Sequence, residues 1–120
     1  MIAVIFEVEP DEGREGTYLD IAAELRPLLE GIEGFISVER FRSLTNPGKI
    51  LSLSFYESED AIARWRNTAE HRRAQAMGRG GVFSGYRLRI AHIVRDYGMS
   101  ERGQAPGDSK SLFADKSRKS

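Results

Sequence analysis

At 120 residues the chain has the size of one domain, and its 18 Lys+Arg are balanced by 18 Asp+Glu, a neutrality that argues against a dedicated nucleic-acid binder. Cysteine is absent, which excludes disulfide scaffolds, thiolate metal sites and cysteine nucleophiles and fits a reducing compartment. With 40% hydrophobic and 30% charged residues, and no apolar run near the ~18 residues a membrane span needs, the expectation is a soluble, cytoplasmic globular protein without a membrane partner.

The opening Met1-Ile2-Ala3-Val4-Ile5-Phe6 lacks a basic n-region, so it reads as a strand rather than a signal peptide. That strand runs from Ile2 to Val8, with Pro10 and Asp11 ending it. Asp11 is a candidate N-cap for a first helix whose inner stripe is Leu19, Ala22, Ala23 and Leu25. Pro27 should kink or end it near Arg26, because proline removes a backbone donor and clashes with the preceding turn. Gly31 and Gly34 release the chain into an alternating strand from Phe35 to Leu44. Thr45-Asn46-Pro47-Gly48 is a turn signal, and Lys49 to Tyr56 forms the third strand of a hairpin. Ser58 caps a second helix carrying Ala61, Ile62, Trp65 and Ala69 inward, and Thr68 caps a further segment through Met77. Gly78, Gly80 and Gly81 stop it, and Tyr86 to Asp96 is the fourth strand.

The order β-α-β-β-α-β predicts an α+β, ferredoxin-like fold: a four-stranded antiparallel sheet with helices on one face. Residues 1–98 make this domain, and 99–120 form a C-terminal tail rich in Gly, Ser, Lys and Asp, either flexible or anchored by Leu112-Phe113. The first strand is apolar on both faces, with Ile2, Val4, Phe6 and Val8 alternating with Ala3 and Ile5. A helix-free face of that kind should be covered, most simply by a second copy of the chain in a homodimer.

Several side chains are candidates for chemistry. Trp65 is the single tryptophan, either a core aromatic or the wall of a cavity where an aromatic substrate stacks. His71, about 1.7 turns further on, titrates near neutrality and is a candidate general base or iron ligand, or simply a surface residue. A break at Asn67-Thr68 would change its placement relative to Trp65. His92 reads as an interior or interface histidine. Ser52 and Ser54 are small polar groups either in a pocket wall or facing solvent. Arg40, Arg87 and Arg89 lie within strands, paired with a carboxylate such as Glu39 or holding an enolate or phenolate oxygen. No metal-spaced cluster, nucleophile triad or phosphate loop is present.

Gly34-Phe35-Ile36-Ser37-Val38-Glu39-Arg40-Phe41, Leu51-Ser52-Leu53-Ser54-Phe55 and Trp65-Arg66-Asn67 with His71-Arg72 and Ala74-Gln75 together resemble the antibiotic biosynthesis monooxygenase family. The ending Tyr86-Arg87-Leu88-Arg89-Ile90-Ala91 with Arg95-Asp96-Tyr97-Gly98 is similar too. The resemblance implies a dimeric α/β-barrel and a monooxygenase that oxidises small aromatic phenols or quinols with O₂ and no cofactor. His71 would then be base or orienter and Trp65 the stacking wall. Phe83, Tyr86, Ser52 and Arg40 would line the substrate site. A haem-binding or haem-degrading oxygenase and a non-catalytic ligand-binding dimer of the same fold are the alternatives. The haem-degrading type uses an Asn on the first strand, which here has Glu7 and no Asn, and Ala61 stands four residues before Trp65 where the polyketide-oxidising type has Asn.

Overall fold

The computed structural model describes residues 1–109. Its elements follow the expected order: β1 (Ile2–Pro10), α1 (Glu15–Glu30), β2 (Phe35–Arg42), β3 (Ile50–Tyr56), α2 (Glu59–Arg66), α3 (Ala69–Met77) and β4 (Phe83–His92), with a π-helical turn (Gly78–Val82) leading into β4. The strands form one antiparallel sheet in the order β2-β3-β1-β4. Each strand–helix–strand half skips one position in the sheet, which gives the ferredoxin-like interleaving.

The register defines four rungs on the helix-bearing face. Ile2 pairs with Tyr56 and His92, and Val4 with Ser54 and Ile90; Phe6 pairs with Ser52 and Leu88, and Val8 with Ile50 and Tyr86. On β2, Val38 adjoins Ser54 and Arg40 adjoins Ser52. Core packing closes on the two ends of this ladder. One buried cluster joins Ile2, Leu29, Val38, Tyr56, Ala61, Ile62 and Trp65; the other joins Val8, Tyr18, Ile50 and Val82. The middle rungs, carrying Ser52 and Ser54, lie between them.

Four local expectations are corrected. α1 passes through Pro27 to Glu30 instead of ending near Arg26. The last turn persists because Leu29 is buried in the first cluster and Leu25 packs against it, and burying a leucine contributes about 1.5–3 kcal/mol, comparable with the proline cost of about 3 kcal/mol. Asp11 does not cap α1, which is entered at Arg14 without a side-chain cap. Asp11 instead ties the loop down: its N–H donates to the Val82 carbonyl at 2.8 Å and its carbonyl accepts from the Arg14 N–H at 2.8 Å. The inward stripe of α1 runs through Tyr18, Ala22, Leu25 and Leu29; Ala22 and Leu25 lie inward as expected, while Leu19 and Ala23 are exposed, so the buried face is displaced toward Tyr18 by less than the ~100° of one residue. β4 begins at Phe83 and ends at His92, three residues earlier and four residues short of the expected limits. Its start is set by the break at Gly81, whose φ is +115°.

Other signals are met as read. Ser58 Oγ accepts the Ala61 N–H at 3.3 Å, and Thr68 Oγ1 accepts the His71 N–H at 3.2 Å. The β2–β3 turn is held by Asn46 Oδ1, which takes the Gly48 N–H at 3.2 Å. Gly34 sits at φ +89°, and a Cβ there would lie 2.8 Å from Ala61 Cβ, so glycine is needed both for the turn and for the close approach of α2.

Beyond β4, the Ile93 N–H still bonds the Met1 carbonyl at 3.0 Å. Residues 96–105 then fold on themselves, with Gly98 N–H on Glu101 O at 2.7 Å, Asp96 N–H on Gln104 Oε1 at 2.7 Å, and Ala105 buried. Leu112 and Phe113, the expected tail anchor, lie outside the described residues. Among the described residues no helix is long and apolar enough to cross a membrane.

Candidate functional site

Between the two core clusters the helices and sheet enclose a cavity of about 370 Å³. Its floor is the middle of the sheet: Val4 and Phe6 of β1, Val38 and Arg40 of β2, and Ser52 and Ser54 of β3. Its walls are Tyr18, Ala22, Leu25 and Leu29 of α1, Ile62 and Trp65 of α2, and His71 and Ala74 of α3. Serines at the two central β3 positions make the void possible. Both are buried, yet each is too small to fill the volume that Leu or Phe would occupy. Tyr86, Leu88 and Ile90 complete the lining on β4 but are 52%, 51% and 47% exposed, because the helices cover β1 to β3 and leave this edge of the face open. That edge is the mouth.

The break between α2 and α3 brings Trp65 and His71 together. On a continuous helix a separation of six residues turns the two side chains well away from each other. Here Thr68 redirects the chain: its hydroxyl donates to the Trp65 carbonyl at 2.8 Å while accepting the His71 N–H at 3.2 Å. The two rings consequently lie 5.2 Å apart at 48°. Burial pushes the His71 pKa below the ordinary imidazole value. A hydrogen bond to the Arg66 carbonyl opposes this, and the charges of Arg72 and Arg66 add to it. Nδ1 stands 3.5 Å from that carbonyl, the long limit of a hydrogen bond. In the tautomer with the proton on Nδ1, Nε2 carries the lone pair and can accept a proton.

An aromatic group lines the other end. Phe83 packs edge-on against Phe6 at 5.9 Å and Tyr18 at 5.6 Å, and Tyr86 approaches Phe6 at 5.7 Å. Gly78 permits this arrangement, because a Cβ there would lie 2.5 Å from the Phe83 ring. Arg40 Nε donates to Tyr18 Oη at 3.3 Å, with the guanidinium 5.9 Å from the Tyr18 ring centre. Burial raises the pKa of Tyr56 above the usual phenol range, partly offset by its hydrogen bond with Ser54, so Tyr56 stays protonated at neutral pH.

All six expected site residues, Trp65, His71, Phe83, Tyr86, Ser52 and Arg40, thus line one cavity. The arginine partnerships differ from expectation. Glu39 is not the acceptor; Glu7 is, facing Arg89 at 3.5 Å and Lys49 at 3.9 Å across the helix-free face. Alternation explains this: Glu39 points away from Arg40, and Glu7 is opposite Leu51 and Arg87 on that same far face. His92 is exposed rather than interior, since no helix covers its end of β4. Sequence reasoning missed Tyr18, Phe6 and Tyr56. Tyr18 was visible in the spacing 18, 22, 25, 29, a regular apolar stripe.

Comparisons with known proteins agree with this architecture. The family described as antibiotic biosynthesis monooxygenase matches residues 1–77. A relative from Pyricularia oryzae, named jasmonate monooxygenase ABM, is 50% identical over 94 residues, covering 78% of this chain and 44% of its own length. The chain therefore spans less than half of that relative. The uncharacterized protein YqjZ of Bacillus subtilis is 33% identical over 93 residues, covering 78% of this chain and 79% of its own. Among solved structures, a Deinococcus radiodurans protein assigned to the antibiotic biosynthesis monooxygenases superposes with a TM-score of 0.73 at 8% identity, covering 82% of this chain and 97% of that one. Rv0793 of Mycobacterium tuberculosis gives 0.73 at 13% identity, covering 81% and 98%. At such identities the superpositions speak to the fold, and the matched sequence speaks to descent: the chain belongs to the antibiotic biosynthesis monooxygenase family.

Proposed function

We propose that this chain is a monooxygenase that oxidises a small, apolar, ring-bearing substrate with O₂ inside the cavity, without a bound cofactor. The observation that carries the reading is the meeting of a neutral imidazole and an indole in the wall of a mostly apolar enclosure of about 370 Å³, within the size range of small-ligand sites. His71 takes a proton from an acidic phenol, quinol or ring C–H, and Trp65 provides the flat wall against which the ring lies. Phe83 and Tyr86 flank it near the mouth, and Ser52 and Arg40 contribute hydrogen bonds from the floor. The deprotonated substrate then supplies electrons to oxygen. Where a ring CH₂ becomes C=O, one oxygen atom stays in the product and the other leaves with two hydrogens as water, so substrate and O₂ balance without an external reductant. The enclosure keeps water from the carbanion-like species, where the fixed dipoles act in a low dielectric.

In this reading the chain works as a homodimer joined through the helix-free face. There Phe41 is 43% exposed, and Ile5, Leu51, Leu53 and Phe55 are only half-buried.

The test is oxygen uptake by purified protein with anthrones and hydroquinones, chelator present and autoxidation subtracted. Jasmonate is included with and without a reductant, because the Pyricularia relative is named for it. The expected result is uptake above background that falls on the order of 10²-fold in His71→Ala and is reduced in Trp65→Phe. No uptake across the panel overturns the reading. A hemin absorbance band dependent on His71 would then favour haem chemistry, and ring binding without oxygen consumption a non-catalytic role.

A further inference from the structure

The cavity has an electrostatic asymmetry that the net charge of the chain does not foreshadow. Four arginines (Arg26, Arg40, Arg66 and Arg79) reach its lining together with His71, and among the described residues no Asp or Glu does. Arg26 is neutralised by Glu30 at 3.0 Å, and Arg66 and Arg79 are exposed. Arg40 is different. It is half-buried on the cavity floor, and among the described residues no carboxylate lies within salt-bridge distance of it. Its Nε bond to the Tyr18 hydroxyl turns one edge of the guanidinium toward α1. A half-buried guanidinium that bonds a phenol hydroxyl and faces no carboxylate among the described residues is best completed by an anionic ligand.

Its position along the sheet is informative as well. Arg40 lies on the Ser52–Phe6 rung. Trp65 packs in the cluster that runs from the Ile2–Tyr56 rung to Val38 on the Ser54 rung, one to two rungs away. At ~3.4 Å per residue, one to two rungs are about 7–14 Å along the strands, and Arg40 bonds Tyr18 of the other core cluster, so the guanidinium is drawn away from the Trp65 cluster.

Resting on the reading of this cavity as the substrate site, we propose that its ligand is an amphiphilic monocarboxylate whose acid group is held by Arg40 while its apolar ring lies against Trp65. Arg40 is then a specificity group that orients the ligand by its far end.

Binding tests this without any turnover. The fluorescence of Trp65, the single tryptophan, is titrated with 4-cyclohexylbutanoate and with its methyl ester at neutral pH and fixed ionic strength. The acid is expected to bind roughly tenfold or more tightly than the ester, as a charge-assisted contact implies. Arg40→Met should bring the ratio to near one by weakening the acid far more than the ester. Tyr18→Phe, which keeps the guanidinium, should retain the preference, and Arg79→Met should alter it less than threefold. Thermal melts of each variant confirm folding. Equal binding of acid and ester by the wild type, or a preference that survives Arg40→Met, overturns the proposal while leaving the cavity as a binding site. Failure of both probes to bind overturns the cavity reading and the proposal with it. Oxygen uptake, measured separately, decides the monooxygenase reading on its own.

Discussion

Thr68 is the residue on which the candidate site turns. Its side chain joins the end of one helix to the start of the next, and by doing so sets an indole against an imidazole. Thr68→Ala removes both hydrogen bonds and should cost about 1 kcal/mol of stability, read from the denaturant midpoint at unchanged slope. Thr68→Ser should recover most of it. His71 itself makes a pH-dependent prediction. Its folded pKa lies below that of the unfolded chain, so between about pH 6.5 and the lower folded value the unfolded state binds more protons. Stability therefore falls as pH drops below about 6.5 and levels off once pH is below the folded pKa, and this limb should vanish in His71→Gln. The imidazole resonance in an NMR titration should show its midpoint below 6.5; a midpoint above it would contradict the burial argument.

At the scale of elements, the fold depends on close approaches more than on propensity. α1 keeps a proline inside because Leu25 and Leu29 are worth burying. α2 approaches the β2 entry so closely that Gly34 meets Ala61. Gly34→Ala would add both a clash and a strained φ, and should destabilise by about 1–3 kcal/mol, measured as a lowered melting temperature. A substitution at Gly80, where a Cβ meets nothing, is the matched control. The strands and their hairpin were legible in the sequence because alternation and the Asn46-Pro47-Gly48 turn point the same way. The face of α1 was legible only in part: Ala22 and Leu25 lie inward, but Leu19 and Ala23 mimic a neighbouring apolar stripe, and only docking against the sheet selects between the two.

At the scale of the whole molecule, the two faces of the sheet differ in kind. The helix-bearing face is packed at both ends and hollow in the middle. The other carries Ile5, Leu51, Leu53, Phe55 and Phe41 beside the Glu7–Arg89 and Glu7–Lys49 pairs. Its apolar centre with a charged margin is the usual anatomy of an interface core and rim. Sedimentation should therefore find a dimer at micromolar concentration, and Phe41→Glu, at an exposed position outside both core clusters, should shift it toward monomer with the monomer fold intact. A wild-type monomer under the same conditions would remove the homodimer from the account.

Hydrophobic periodicity, turn residues and caps were sufficient to determine the strand–helix order, the hairpin and the break at Thr68, because each is a local signal read within a few residues. Residue type and position made Trp65, His71, Ser52 and Arg40 candidates, and the family resemblance added Phe83 and Tyr86, without fixing how these residues meet. Only the tertiary structure decided that, since their meeting depends on register: small serines on two central rungs leave a void, and the helix break folds His71 back over it. The absence of acidic groups around Arg40 among the described residues belongs to the same level. Strand alternation already puts Glu39 and Arg40 on opposite faces, but which face meets the helices, and that no other carboxylate reaches Arg40 there, is fixed only when the sheet is assembled.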